Sequence, residues 1–167
     1  MQVAVVTPYY KEPDETLERC LASVRRQTHP ATHILVADGY PREFIDRAGV
    51  RHLRLDRSHG DAGNAARGLG ALLAVAEEFE AIAFLDADNW FDESHVATCL
   101  ATARKASDQP DFVVARRRLM RPDASVCANR RKKTTAGSTS IPIACSCCGP
   151  AFTSLRAGRP YPRRCTR

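Results

Sequence analysis

The chain has 167 residues, which is one domain's worth and too short for separate cofactor and substrate lobes. No run approaches the roughly 18 apolar residues of a membrane helix, and "MQVAVVTPYY" enters a β-like segment with no basic leader or cleavage site, so a soluble, cytoplasmic protein is expected. Nine of the 25 Lys and Arg and none of the 19 Asp and Glu lie in residues 130–167, leaving 16 basic against 19 acidic groups before them; the net charge of +6 belongs to a tail, not to a basic surface over the domain.

The first strand is "VAVVTP", a β-branched run stopped by Pro8, and "DETLERCLASVRRQT" follows with Leu17, Cys20, Leu21 and Val24 at helical spacing behind Asp14 as cap. "HILVADG" is a second strand ending at Gly39, and "VRHLRLD" a weaker third. "NAARGLGALLAVAEEF" is a four-turn helix, "AIAFLDAD" the next strand, "DESHVATCLATARKA" a helix with Asp92 at its start, and "DFVVARRR" a last strand. Alternating β and α elements predict an α/β fold with a mostly parallel sheet between helices, where ligands sit outside the carboxyl ends of the strands.

The polar residues at those ends are Thr7 to Glu12, Asp38 with Gly39, Gly60 to Asn64, and Asp86 with Asp88. Acids converging on one edge repel unless a cation joins them, and Arg67 plus a divalent metal serves. Carboxylate oxygens suit Mg²⁺ or Mn²⁺, which bind through one or two carboxylates while taking substrate phosphates, so a nucleoside diphosphate site is expected. Glycines 60, 63, 68 and 70 lack the G-x-G-x-x-G spacing of a dinucleotide fold.

"VAVVTPYYKEPDETLERCLASVRRQT", "ILVADG", "GDAGNAARGLGAL" and "FLDADNWFDESHV" occur in the order and at roughly the spacing of family 2 glycosyltransferases with the GT-A fold, which the chain resembles over about residues 3–125. The resemblance implies a hexosyltransferase-like enzyme, a UDP- or GDP-linked sugar donor, Mn²⁺ or Mg²⁺ at the D-x-D motif, and inverting transfer to an acceptor hydroxyl. By position it implies that Thr7, Pro8, Tyr9, Tyr10 and Glu12 form the first nucleotide-contacting loop, with Tyr9 or Tyr10 near the base. Asp38 matches an acid that hydrogen-bonds base or ribose; Ala37 stands where the family often has a second acid. Asp61, Asn64 and Arg67 match the segment approaching ribose and diphosphate. Asp86 would contact ribose or metal, and Asp88 would be the principal metal ligand.

Simpler roles compete with these. Asp14 and Asp92 are expected as helix caps, Trp90 as a packing residue, and His95 as an exposed helix position. Asp61 stands open between a cap and a ribose contact.

Residues 130–167 show neither period, giving two parts: a nucleotide-sugar-binding domain, 1–129, and a basic, Cys-containing tail that is not expected to fold. The family's catalytic base, usually an acid, has no counterpart after position 129, so the GT-A fold is expected to be incomplete at its C-terminus. A shifted reading frame accounts for such a tail: codons for Cys145, Ser146, Cys147 and Cys148 beginning with T become, one frame over, four codons for apolar residues. Exposed reactive thiols are then expected. Zinc bound by Cys145, Cys147, Cys148 and Cys165 is the rival reading, though C-x-C-C lacks paired C-x₂₋₄-C spacing. Nucleic-acid binding by the tail is a non-enzymatic alternative. A sugar-phosphate nucleotidyltransferase is the competing enzyme class, but "TPYYKEPDE" is not its Gly-rich, basic loop. Metal-dependent nucleotide binding with little turnover is the resulting expectation.

Overall fold

The computed structural model describes residues 1–106, 110–120 and 125, and the backbone of two short strands at 142–145 and 152–154. Its elements run β1 (Val3–Tyr9), α1 (Asp14–Arg25), β2 (Thr32–Ala37), α2 (Glu43–Asp46), β3 (Arg51–Arg54), α3 (Asn64–Ala76), β4 (Ala81–Phe84), α4 (His95–Lys105), β5 (Phe112–Val114), β6 (Arg116–Leu119), β7 (Pro142–Cys145) and β8 (Phe152–Ser154). Six strands form one sheet in the order β3-β2-β1-β4-β8-β5, parallel except for β8, and β6 pairs with β7 in a second, two-stranded sheet.

The β-branched run of β1 is buried along its whole length, as suits a central strand covered on both faces. Its side chains alternate. Val3 and Val5 pack with Cys20 and Val24 of α1 and with Val96, Cys99 and Leu100 of α4. Ala4 and Val6 face the other way, with Ile34 and Val36 of β2, onto Ala66 and Ala74 of α3. A third cluster joins Tyr9, Leu17, Leu21, Leu35, Ala37 and Ile45 near the carboxyl ends of the strands. Helix α3 lies close on the sheet because position 70 is glycine: a Cβ there would sit 2.5 Å from Val6 Cγ1.

The elements differ from the sequence expectation at their ends. β1 runs through Pro8 to Tyr9, with Pro8 opposite Val36 of β2; its register with β4 ends at Val6 opposite Phe84, so the missing N–H of Pro8 falls where β4 has stopped. Helix α3 stops at Ala76, and Glu78, at φ 60°, turns the chain so that Phe79 enters the core. The strand expected over 111–118 divides at Ala115 into β5 and β6, which join different sheets. Helix α2 was not expected, since four residues carry no readable period.

Neither expected aspartate cap is one. The N-cap of α1 is Pro13, and the Asp14 carboxylate pairs with Arg42 Nε at 3.4 Å. At α4 the N-cap is Ser94, while the Val96 N–H donates to Gln27 Oε1 at 2.9 Å and Asp92 pairs with Arg118 at 3.8 Å. The expected exposure of His95 is also corrected. Its side chain is buried, stacked on Phe91 with ring centroids 4.0 Å apart.

Of the expected tail, only the backbone of β7 and β8 is described. The readings of Cys147, Cys148, Cys165 and the Cys145 side chain as zinc ligands or reactive thiols, and the nucleic-acid reading of the basic residues, lie outside the described residues.

Candidate functional site

The carboxyl ends of β1, β2 and β4 and the start of α3 enclose a pocket of about 540 Å³. Pro8, Tyr9, Tyr10 and Glu12 reach it from β1, Asp38 from β2, Arg67 from α3, and Asp86 and Asp88 from the turn after β4. Eight residues expected from the sequence are thus brought together. Thr7, Asp61 and Asn64 do not line the pocket. Thr7 is fully buried, its hydroxyl 2.8 Å from His33 Nε2.

The loop after β1 turns because Glu12 reaches back, its Oε2 accepting the Tyr10 N–H at 2.6 Å. Strand alternation sends the Tyr9 ring into the core with Leu17 and Leu35 and leaves Tyr10 half exposed. Tyr10 meets Tyr40 edge-on with ring centroids 4.8 Å apart, and Lys11 Nζ lies 4.9 Å and 4.3 Å from the two centroids. Tyr10, not Tyr9, therefore has a ring available at the pocket.

Asp38 follows the end of β2 and is buried. Its carboxylate accepts the His59 N–H at 3.0 Å and the Ser58 hydroxyl at 3.1 Å, and lies 2.9 Å from His59 Nδ1. Burial pushes the carboxyl up, but the bonds from His59 and Ser58 outweigh it and hold Asp38 below the usual carboxylate range. Gly39 permits this closure: at φ 82° its position takes no ordinary side chain, and a Cβ would fall 2.3 Å from the Ser58 nitrogen. Ser58 and His59 escaped the sequence reading because they lie in a loop without period, although the Gly39 next to Asp38 was a signal of close approach.

Gly63, at φ 79°, leads into α3 and presents the helix N-terminus to the pocket. Asp61 Oδ2 accepts the Ala65 N–H at 2.7 Å, so the capping role left open for Asp61 is present in the structure. Asn64 Oδ1 accepts from Arg67 at 3.1 Å, and Arg67 donates in turn to Asp86 Oδ1 at 2.8 Å. The Arg67 guanidinium at the cavity suits an anion, while the Asp61 carboxylate already takes the Ala65 N–H at the helix start.

Asp86 and Asp88 stand in the turn that follows β4, where the Asn89 N–H bonds to the Asp86 carbonyl at 2.9 Å. Behind the turn, Ser23 Oγ accepts the Phe91 N–H at 3.2 Å and Gln27 Nε2 donates to the Asp92 carbonyl at 2.8 Å, so Ser23 of α1 and Gln27 just after it brace the turn. Both fall in a segment that the sequence marked only as a helix. Trp90 is half buried with the Arg19 guanidinium 4.3 Å from its ring centroid, in accord with a packing role.

A family model described as glycosyl transferase family 2 matches residues 4–157. The chain belongs to this family. Among solved structures it is similar to S. aureus TarS 1–349 in complex with UDP, with a TM-score of 0.60 and 17% identity over 81% of this chain and 38% of that one. It is also similar to S. aureus TarS 1–349, with a TM-score of 0.63 and 17% identity over 94% and 47% of the two chains. The chain spans less than half the length of either structure, and at this identity the likeness concerns the fold, which is GT-A. A comparison with curated proteins finds no match.

In this family 2 chain the acids of the pocket are unequally balanced. Asp86 has Arg67 beside it, whereas burial, then Asp86 and Glu12, push the Asp88 carboxyl above its ordinary range. A divalent cation would favour the ionised form of a carboxyl raised by burial and by neighbouring acids. No group of three or more His, Cys, Asp or Glu side chains placed to hold a metal occurs among the described residues. Mg²⁺ and Mn²⁺ need no such cage when a substrate's phosphates supply further ligands.

Proposed function

We propose that the pocket binds the nucleoside diphosphate of a sugar donor, with Asp86 and Asp88 holding Mn²⁺ or Mg²⁺, and that the chemistry served is inverting transfer of the sugar to an acceptor hydroxyl. The observation that carries this reading is the convergence of Arg67, Asp86 and Asp88 on one cavity at the carboxyl ends of the strands. Membership of glycosyl transferase family 2 and the UDP held by the similar S. aureus TarS structure support it.

Each part of the pocket has a task. Arg67 faces the diphosphate, with which its guanidinium can pair. Asp38, kept ionised, accepts from ribose or base on its remaining lone pairs, and Tyr10 offers its ring to the base. The metal, when bound, stabilises the negative charge that collects on the leaving diphosphate. Residues 130–167 contain no Asp, Glu or His to act as base, so donor binding is expected to exceed turnover.

Calorimetry with UDP and GDP, each with and without Mn²⁺, tests the reading, paired with an assay of donor hydrolysis and transfer. Saturable binding that strengthens with Mn²⁺, with little turnover, is the expected outcome. Binding indifferent to metal overturns the D-x-D assignment, and rapid transfer overturns the expectation of a missing base.

A further inference from the structure

Behind the pocket wall, three polar side chains from three segments form a chain. Tyr9 Oη lies 2.7 Å from His52 Nε2, and His52 Nδ1 lies 2.7 Å from Asp46 Oδ1. Asp46 Oδ2 is paired with Arg54. Tyr9 is 2% exposed and the His52 side chain 4% exposed, so the bond between them lies inside the fold, while Asp46 stands at the surface.

The direction of donation follows from the groups themselves. Ionised Asp46 can only accept, so His52 Nδ1 carries a proton. With a single proton on the ring, at Nδ1, Nε2 is left to accept from the Tyr9 hydroxyl. The same Tyr9 oxygen accepts the Arg42 N–H at 3.0 Å, so every polar group at this junction has a defined role.

Tyr9 is also tied at its backbone, where its carbonyl accepts the Asp38 N–H at 2.8 Å. Asp38 in turn holds Ser58 and His59. Tyr9, Tyr10, Asp38 and Ser58 all line the pocket, so the residue at the head of the relay lies between Asp46 in α2 and the wall of the proposed nucleotide site.

From this geometry we infer that His52 and Asp46 are positioning residues, which fix Tyr9 and through it the Asp38 side of the nucleotide pocket. The assignment rests on the nucleotide-binding reading above. A hydroxyl, an imidazole and a carboxylate in line also suggest an activated nucleophile, but the Tyr9 hydroxyl is buried away from the cavity and burial raises its pKa, so it remains a hydrogen-bond donor.

The relay is tested first in the ligand-free chain by ¹⁵N NMR of the histidine rings, where His52 is expected as the Nδ1–H tautomer. UDP and GDP binding with Mn²⁺ is then measured for Tyr9→Phe, His52→Leu and His52→Gln, with circular dichroism to confirm the fold. Tyr9→Phe and His52→Leu are expected to weaken binding by about tenfold, the lower end of what lost outer-shell hydrogen bonds do to a site. His52→Gln keeps an acceptor for Tyr9 and a donor for Asp46 and is expected to recover most of the affinity, which a side chain that only filled space would not require. An Nε2–H tautomer overturns the relay even if the variants fail to fold. Wild-type affinity in the Phe and Leu variants, or Gln no better than Leu, overturns the positioning role alone. A wild-type chain that shows the expected tautomer yet binds neither nucleotide overturns the donor-site reading on which the role rests.

Discussion

Asp88 is raised by burial first and by its acidic neighbours second, and the sign of that shift matters for stability. A carboxyl whose folded pKa exceeds its unfolded value destabilises the fold when ionised, so the penalty grows as pH rises from the unfolded pKa to the folded one and is complete above it. Asp88→Asn removes the charge. The variant is expected to melt at a higher temperature than wild type at pH 7 and to lack the upward shift expected of wild type with Mn²⁺ and UDP, both read in one set of thermal unfolding curves. Wild-type melting without ligand, together with an unchanged Mn²⁺ response, would remove Asp88 from the metal site. At this scale the sequence was informative for acids, because a carboxylate after an apolar run is conspicuous. It did not separate Tyr9 from Tyr10, although the alternation of β1, which sends Val3, Val5 and Tyr9 to one face, carried that information.

Helix α3 shows how one element serves both packing and site. Gly68 and Gly70 look alike in the sequence, yet nothing lies within 4 Å of a Cβ built at 68, whereas one at 70 meets Val6 Cγ1 at 2.5 Å and Val36 Cγ2 at 3.0 Å. Gly68→Ala is therefore expected to stabilise the chain by about 0.5–1 kcal/mol through lower backbone entropy in the unfolded state. Gly70→Ala is expected to destabilise it by about 1–3 kcal/mol by lifting α3 from β1. Urea unfolding of the two variants checks the pair, and equal midpoints would contradict the close approach of helix and sheet. Periodicity located α3 because its buried stripe spans several turns. Four-residue α2 has no comparable signal, and so Asp46, which lies in it, went unread until the fold placed it against His52.

At the scale of the whole molecule, His33 and His95 lie in the core with no charge partner among the described residues. Burial lowers His33 to about 3 and His95 to about 4, and one ring nitrogen of each has no hydrogen-bond partner among the described residues. Both folded values lie below the ordinary 6.5, so the unfolded chain takes up protons first as the solution is acidified. Stability is expected to fall from about pH 6.5 down towards the folded values, each histidine adding a slope of up to about 1.4 kcal/mol per pH unit. Denaturant midpoints between pH 7 and pH 4.5 measure this, and His95→Leu should flatten the decline. An unchanged slope in that variant would mean that His95 titrates in the folded chain. The α/β order of the domain was legible because strands buried on both faces read as unbroken apolar runs. Burial of His95 was not, because a helix start and a histidine are equally compatible with either face until the partner helix is known.

The ion pair between Arg67 and Asp86 has a thermodynamic consequence for the order in which ligands arrive. Without ligand, Arg67 already neutralises one of the two acids that a metal would use, so free Mn²⁺ must compete with a guanidinium that the chain itself supplies. A diphosphate draws Arg67 towards its own oxygens and releases Asp86, so each ligand prepares the site for the other, and by linkage the effect is reciprocal. Mn²⁺ titrated in the presence of UDP is expected to bind at least several-fold more tightly than Mn²⁺ alone, a coupling of about 1 kcal/mol or more. Arg67→Gln should raise the affinity for Mn²⁺ alone while shrinking that coupling, so that a single arginine sets how far the empty site resists loading with metal before a donor is present.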